Sequence, residues 1–215
     1  MNHLLLLGST GAVGQHVLRQ ALDNSLIAHV IGPTRRPLPA HIKLENPVVD
    51  FNNFADDASW LKADAVICAL GTTIKIAGSQ DAFAAVDRDL PIRIAGLSRK
   101  AGAASFALNS ALGASPDGNF YQRTKYEAEA GIRAVGYPRF TIVRPSLIDT
   151  DRSESRPAEY LGLLFARIFR PLIPYRYRAV KAESIAQALL AGVLQDNPGE
   201  YIIESDKLHA GILVT

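Results

Sequence analysis

The 215 residues, 48% hydrophobic and 20% charged, supply apolar material for one sizeable core, and a formal charge of +2 leaves no electrostatic footprint for nucleic acid. No apolar run approaches the ~20 residues of a membrane span, which argues against integral membrane association, and the leucine run before Gly8 is too short for a secretory signal core. The single cysteine, Cys68, excludes an internal disulfide, suits a packing role and favours a reducing compartment, so the expectation is a soluble cytoplasmic protein.

In chain order, short apolar runs alternate with helical patterns. Residues 3–7 read as a buried strand that runs into Gly8-Ser9-Thr10-Gly11-Ala12-Val13-Gly14, with a helix over about 12–23. Strands follow at 29–32 and 47–51, and then at 64–70. A long helix is expected over 79–100, a strand at 105–109, a helix over 117–135 and a strand at 140–146. The stretch 149–180 breaks the alternation, is rich in Arg and Pro, and reads as a loop-plus-helix insertion; a helix at 182–195 and a strand at 201–205 complete the chain. The runs are continuously apolar rather than alternating, as in strands covered on both faces by helices. The fold class is therefore α/β, a single doubly wound Rossmann-type parallel sheet over residues 1–215, with a small C-terminal substrate region and a lid-like insertion at 150–180.

The glycine spacing has a bland reading, a tight turn between strand and helix. Its functional reading is a phosphate cradle: Gly8 closes the turn, Gly11 admits close backbone approach to a pyrophosphate, and Gly14 lets the helix pack on the sheet, with free amides at the helix start. About twenty residues on, where an acid would receive a free ribose 2′-hydroxyl, the chain has Arg35 and Arg36 and no acid. Guanidinium forks suit a 2′-phosphate, which favours NADP over NAD; two solvated loop arginines are the alternative. At the end of the expected third strand, Asp50 and Phe51 read either as partners of the adenine amino group and ring face or as a helix cap and a core aromatic.

Hydride reduction of a carbonyl needs a proton donor and a means of making it acidic. Tyr121 and Lys125, four apart at the start of a strongly helical stretch, share a face on which the ammonium stabilises a developing phenolate. Ser110 ends the preceding strand, where its hydroxyl would bond the same carbonyl. Tyr177 and Lys181 have equal spacing, but their proline-broken surroundings argue against a shared helix face. The five histidines are too dispersed for a metal site, and none is expected.

Glycine loop, arginine at the second strand's end, and Ser, Tyr and Lys in this order resemble the short-chain dehydrogenase/reductase superfamily. The stretches ICALGTTIKIAGSQDAF, VDRDL and RPSLIDTDRSESRPAEY are similar to its atypical Tat-interacting-protein-like branch over nearly the whole chain. The resemblance implies NADPH on Gly8–Gly14 and Arg35, with the loop Leu70, Gly71, Thr72 and the tripeptide Arg144, Pro145, Ser146 lining the cofactor and the nicotinamide beside Tyr121 and Lys125. It implies reduction of a small or medium carbonyl substrate. Asp87 stands where many superfamily members carry a catalytic asparagine, which leaves open a second role, a cofactor-sensing module acting through a protein partner.

Overall fold

In the computed structural model, residues 1–149 and 174–209 are described. Seven parallel strands form one sheet in the order β3-β2-β1-β4-β5-β6-β9, comprising β1 (His3–Leu7), β2 (His29–Ile31), β3 (Leu44–Glu45), β4 (Ala65–Cys68), β5 (Ser105–Asn109), β6 (Arg139–Arg144) and β9 (Gly199–Glu204). The chain starts in the middle, walks out to β3, then crosses back to β4 and continues the other way. That reversal between β1 and β4 opens the crevice where ligands of doubly wound sheets sit.

The continuous leucines of β1 follow from this topology. Leu4 and Leu6 enter one core with Val17 and Ala21 of α1 (Gly14–Asp23) and with Ile185 and Leu189 of α6 (Ala182–Leu194). Leu5 and Leu7 enter the opposite core with Ile94 of α4 (Leu90–Lys100) and Ile132 of α5 (Phe120–Val135). Both faces of the strand are covered, so no polar residue is tolerated between them.

Two expectations need correction. The third strand lies at Leu44–Glu45 rather than 47–51; there Val48 makes only an isolated bridge to Thr34, because Pro47 offers no amide and the Asp50 carboxylate takes the Asn52 N–H to start a turn. The helix expected over 79–100 is preceded by a short α2 (Ile74–Ala77) and consists of α3 (Gln80–Ala84), a π-turn at Ala85–Asp89, and α4. Pro91 has no amide for the Asp87 carbonyl four residues back, and the wider turn just before it absorbs the mismatch.

Helix α5 begins where a reciprocal cap fixes it: Asn119 Oδ1 accepts from the Gln122 amide at 3.0 Å and Gln122 Oε1 from the Asn119 amide at 3.0 Å. Beyond β6, β7 (Ile148–Asp149) pairs in parallel with β8 (Val180–Lys181). The lid expected at 150–180 lies outside the described residues except for 174–180.

Candidate functional site

The glycine turn separates packing from binding. Gly8 has φ +81°, and a Cβ there would stand 2.6 Å from the Ala69 carbonyl oxygen; a Cβ on Gly14 would stand 1.9 Å from that of Gly8. Both are fixed by backbone approach. A Cβ on Gly11 would meet only backbone oxygens, the nearer that of Gly8 at 3.2 Å, a far looser fit than at Gly8 or Gly14. The start of α1 carries neither a side-chain cap nor an acid, and the amides of Ala12 and Val13 have no acceptor among the described residues. Ser9 buries a hydroxyl with no partner beside this turn, and Asn109 buries an unpartnered amide oxygen at the end of β5. Open amides, a positive helix end and an orphaned hydroxyl form a donor set suited to a phosphate anion. Thr10 is exposed on the same turn.

Arg35 and Arg36 follow β2 at the same edge of the sheet, exposed and with no ion-pair partner for either guanidinium among the described residues. Asp50 is tied into its own turn through Asn52, and the Phe51 ring lies edge-on to Trp60 with centroids 6.4 Å apart. Leu70, Gly71 and Thr72 leave β4 beside the glycine turn, and the Thr72 amide donates to Asp87 Oδ2 at 2.9 Å.

On α5, Tyr121, Lys125 and Glu129 recur every four residues and so present one stripe. Tyr121 is 38% exposed and its ring lies 5.9 Å from Lys125 Nζ, with the Phe83 ring packed 5.6 Å from its own. Lys125 is only 6% exposed. Burial works against its charge, but Asp87 at 2.7 Å, with Tyr121 adding to it, outweighs burial and leaves the ammonium above the ordinary lysine range. Asp87 reaches this position from the π-turn, which Arg88 also ties to α5 by bonding Glu127 at 2.8 Å.

The third residue of the stripe carries no signal in the sequence beyond its spacing from Lys125. Glu129 is fully buried; its Oε1 accepts from the Ser110 hydroxyl at 2.5 Å and from Arg144 Nε at 2.9 Å, and its Oε2 from the second Arg144 nitrogen at 2.5 Å. Arg144 also bonds Glu204 at 3.0 Å. Pro145 is buried and its carbonyl accepts from the Leu112 amide; Ser146 donates its amide to Ser205 Oγ and its hydroxyl to the Arg178 carbonyl. Ser110 and Arg144 thus share one buried network, while Tyr121 and Lys125 lie a turn or two along the same helix.

Tyr177 sits in a short turn at Tyr175–Tyr177 and Lys181 in β8, so this pair shares no helix. Among the described residues no cluster of His, Cys, Asp and Glu could hold a metal ion, and no helix is long and apolar enough to cross a membrane.

A family model described as NAD(P)H-binding matches residues 8–195. The chain belongs to this NAD(P)H-binding family. Among relatives, Protein fmp52, mitochondrial, of Emericella nidulans is 37% identical over 77% of this chain and 75% of its own length. Protein HTATIP2 of Rattus norvegicus is 32% identical over 97% of this chain and 88% of its own, in keeping with the atypical dehydrogenase/reductase resemblance. Solved structures share the fold: MoeE5 in complex with UDP-glucuronic acid and NAD has a TM-score of 0.72 at 18% identity, covering 94% of this chain and 76% of that one. A UDP-glucuronic acid 4-epimerase from Bacillus cereus, with UDP-glucuronic acid and NAD, has 0.70 at 14% identity, covering 94% and 77%.

The cytoplasmic expectation is overturned by the relatives named as mitochondrial in Emericella nidulans and Aspergillus niger. A lone buried cysteine and the lack of a long apolar run in the NAD(P)H-binding chain carry no address, and both suit a mitochondrial protein equally well.

Proposed function

We propose that the chain is an NADPH-dependent oxidoreductase reducing a small or medium carbonyl compound at Tyr121 and Lys125. The observation that carries this reading is the buried Lys125 ammonium one helical turn from a partly exposed tyrosine. The residues present fit the cofactor: Gly8 to Gly14, with Ser9 and the Ala12 and Val13 amides, would hold the pyrophosphate, and Arg35 and Arg36 the 2′-phosphate. Leu70, Gly71 and Thr72 would line it, as would Arg144, Pro145 and Ser146; Asp50 and Phe51 would border the adenine only if their present contacts yield. When bound, NADPH supplies a hydride.

Tyr121 Oη donates a proton to the carbonyl oxygen as negative charge gathers there, and the tyrosine is left as phenolate. The Lys125 ammonium favours that phenolate, since opposite charge nearby stabilises the ionised form. Asp87 anchors Lys125, and its second oxygen ties the same pair to the loop at Thr72. Ser110, the residue after β5, orients the carbonyl compound.

A second reading, a cofactor-binding module with little turnover that acts through a protein partner, draws support from the Ser110–Glu129 bond, which withdraws the serine proton from a carbonyl. One experiment separates the two: NADPH oxidation against aldehydes, ketones and quinones, with cofactor affinity measured for each variant. Tyr121→Phe should abolish turnover and spare NADPH affinity, Lys125→Ala should weaken both, and Tyr177→Phe neither. Tight NADPH binding by the wild type with no carbonyl turned over favours the module. The mitochondrial relatives make mitochondrial fractions the first place to look for the protein.

A further inference from the structure

Two oxygens 2.5 Å apart, Ser110 Oγ and Glu129 Oε1, require a proton between them. Arg144 decides whose proton it is. It grips both Glu129 oxygens, at 2.9 and 2.5 Å, a two-pronged contact that demands an ionised carboxylate, and an ionised carboxylate accepts without donating. The proton is therefore the serine's, and a hydroxyl has only one. Glu129 is wholly buried, so water does not compete for the bond.

We propose that Ser110 meets its ligand as a hydrogen-bond acceptor only, so that the substrate brings a donor, a hydroxyl or N–H next to the reacting carbon, and that Glu129 is the positioning residue that sets this polarity. The proposal rests on the Tyr121–Lys125 reading for the location of the reacting carbon. A bare ketone offers Ser110 nothing to accept, and it leaves the serine lone pairs unpaired in a water-poor site, a penalty that sites built around a substrate hydroxyl use to reject analogues lacking it. An α-hydroxy ketone fills that need, with its carbonyl oxygen left to Tyr121.

The probes are 2-hydroxyacetophenone and 2-methoxyacetophenone, alike except for the donor. Their dissociation constants are measured by ligand-observed NMR on the protein with oxidised cofactor, where no hydride is available and turnover does not intervene. The wild type should favour the hydroxy ketone by about tenfold, as one hydrogen bond of ordinary strength implies. Ser110→Ala should bring the ratio near one. Glu129→Gln should lower or invert it, because the glutamine amide donates to Ser110 from the Oε1 position, at the cost of the Arg144 Nε contact there, while its oxygen keeps the other Arg144 nitrogen, and this frees the serine proton for an acceptor. A neutron map of the deuterium-exchanged protein reads the same polarity without a variant or a ligand, with the deuteron on Ser110 Oγ directed at Glu129.

Equal affinity for the two ketones, no binding of the hydroxy ketone, or a deuteron carried by Glu129 or directed away from it overturns the proposal. If the tenfold preference holds and NADPH still reduces neither ketone, the reductase reading falls and the acceptor role of Ser110 stands.

Discussion

The Lys125 ammonium lies 2.7 Å from an Asp87 carboxylate oxygen, and both side chains are almost wholly buried. Removing one partner of such a pair strands the other charge in a poor solvent, which costs about 3–5 kcal/mol. Asp87→Ala should lose stability of this order in urea unfolding, and Asp87→Asn less, because its amide oxygen still accepts from Thr72. Lys125 stands above its ordinary range in the folded protein. Its contribution is therefore complete below the unfolded value of about 10.4 and is lost as pH rises through the folded value. Urea midpoints followed into alkaline solution should fall in the wild type, and a fall of equal size in Asp87→Asn would contradict this account.

The glycines should divide by function. Gly14→Ala forces a methyl to within 1.9 Å of the Gly8 carbonyl oxygen, which belongs to backbone and has no rotamer to yield. Overpacking of this kind costs about 1–3 kcal/mol or more, so the variant should unfold at clearly lower urea. Gly11→Ala meets backbone no closer than 3.2 Å and should fold, with its loss read in cofactor titration instead. Calorimetry with NADPH on both variants checks the division.

Much of this was legible because burial on two faces leaves a plain trace: the leucines of β1 and the run at β4 could only be central strands, and the glycine turn follows from them. Val48 and Val49 have strand composition, yet Pro47 and the Asp50 turn deny them a ladder, and the third strand lies earlier, at Leu44–Glu45. Tyr121 and Lys125 stood out as neighbours on one helix. Glu129 did not, since its role depends on β5 and β6 bringing Ser110 and Arg144 to it, residues far away in the chain. In the sequence Asp87 shows only as a departure from asparagine; its pairing with Lys125 depends on the π-turn ahead of Pro91.

Cys68 ends β4 with no exposed surface, and burial pushes its thiol up to about 12. The thiolate is the reactive form, so the native protein should resist a disulfide reagent at mildly alkaline pH and release one thiol equivalent only on unfolding. Rapid labelling of the folded protein would mean that β4 opens readily at this edge.

Arg35 and Arg36 carry the expected choice of cofactor. They are exposed at the end of β2, and no carboxylate among the described residues pairs with either. A charge-assisted bond to the 2′-phosphate contributes about 1.5–3 kcal/mol, roughly ten- to a hundredfold in affinity. Titration calorimetry should therefore find NADPH bound more tightly than NADH by that factor, and Arg35→Ala should remove most of the difference by weakening NADPH alone. Since both guanidiniums face water, salt should erode the preference. A loss of NADH affinity equal to that of NADPH in Arg35→Ala would mean that the arginine shapes the loop, and equal wild-type affinities would leave the 2′-phosphate without a receptor on this edge of the sheet.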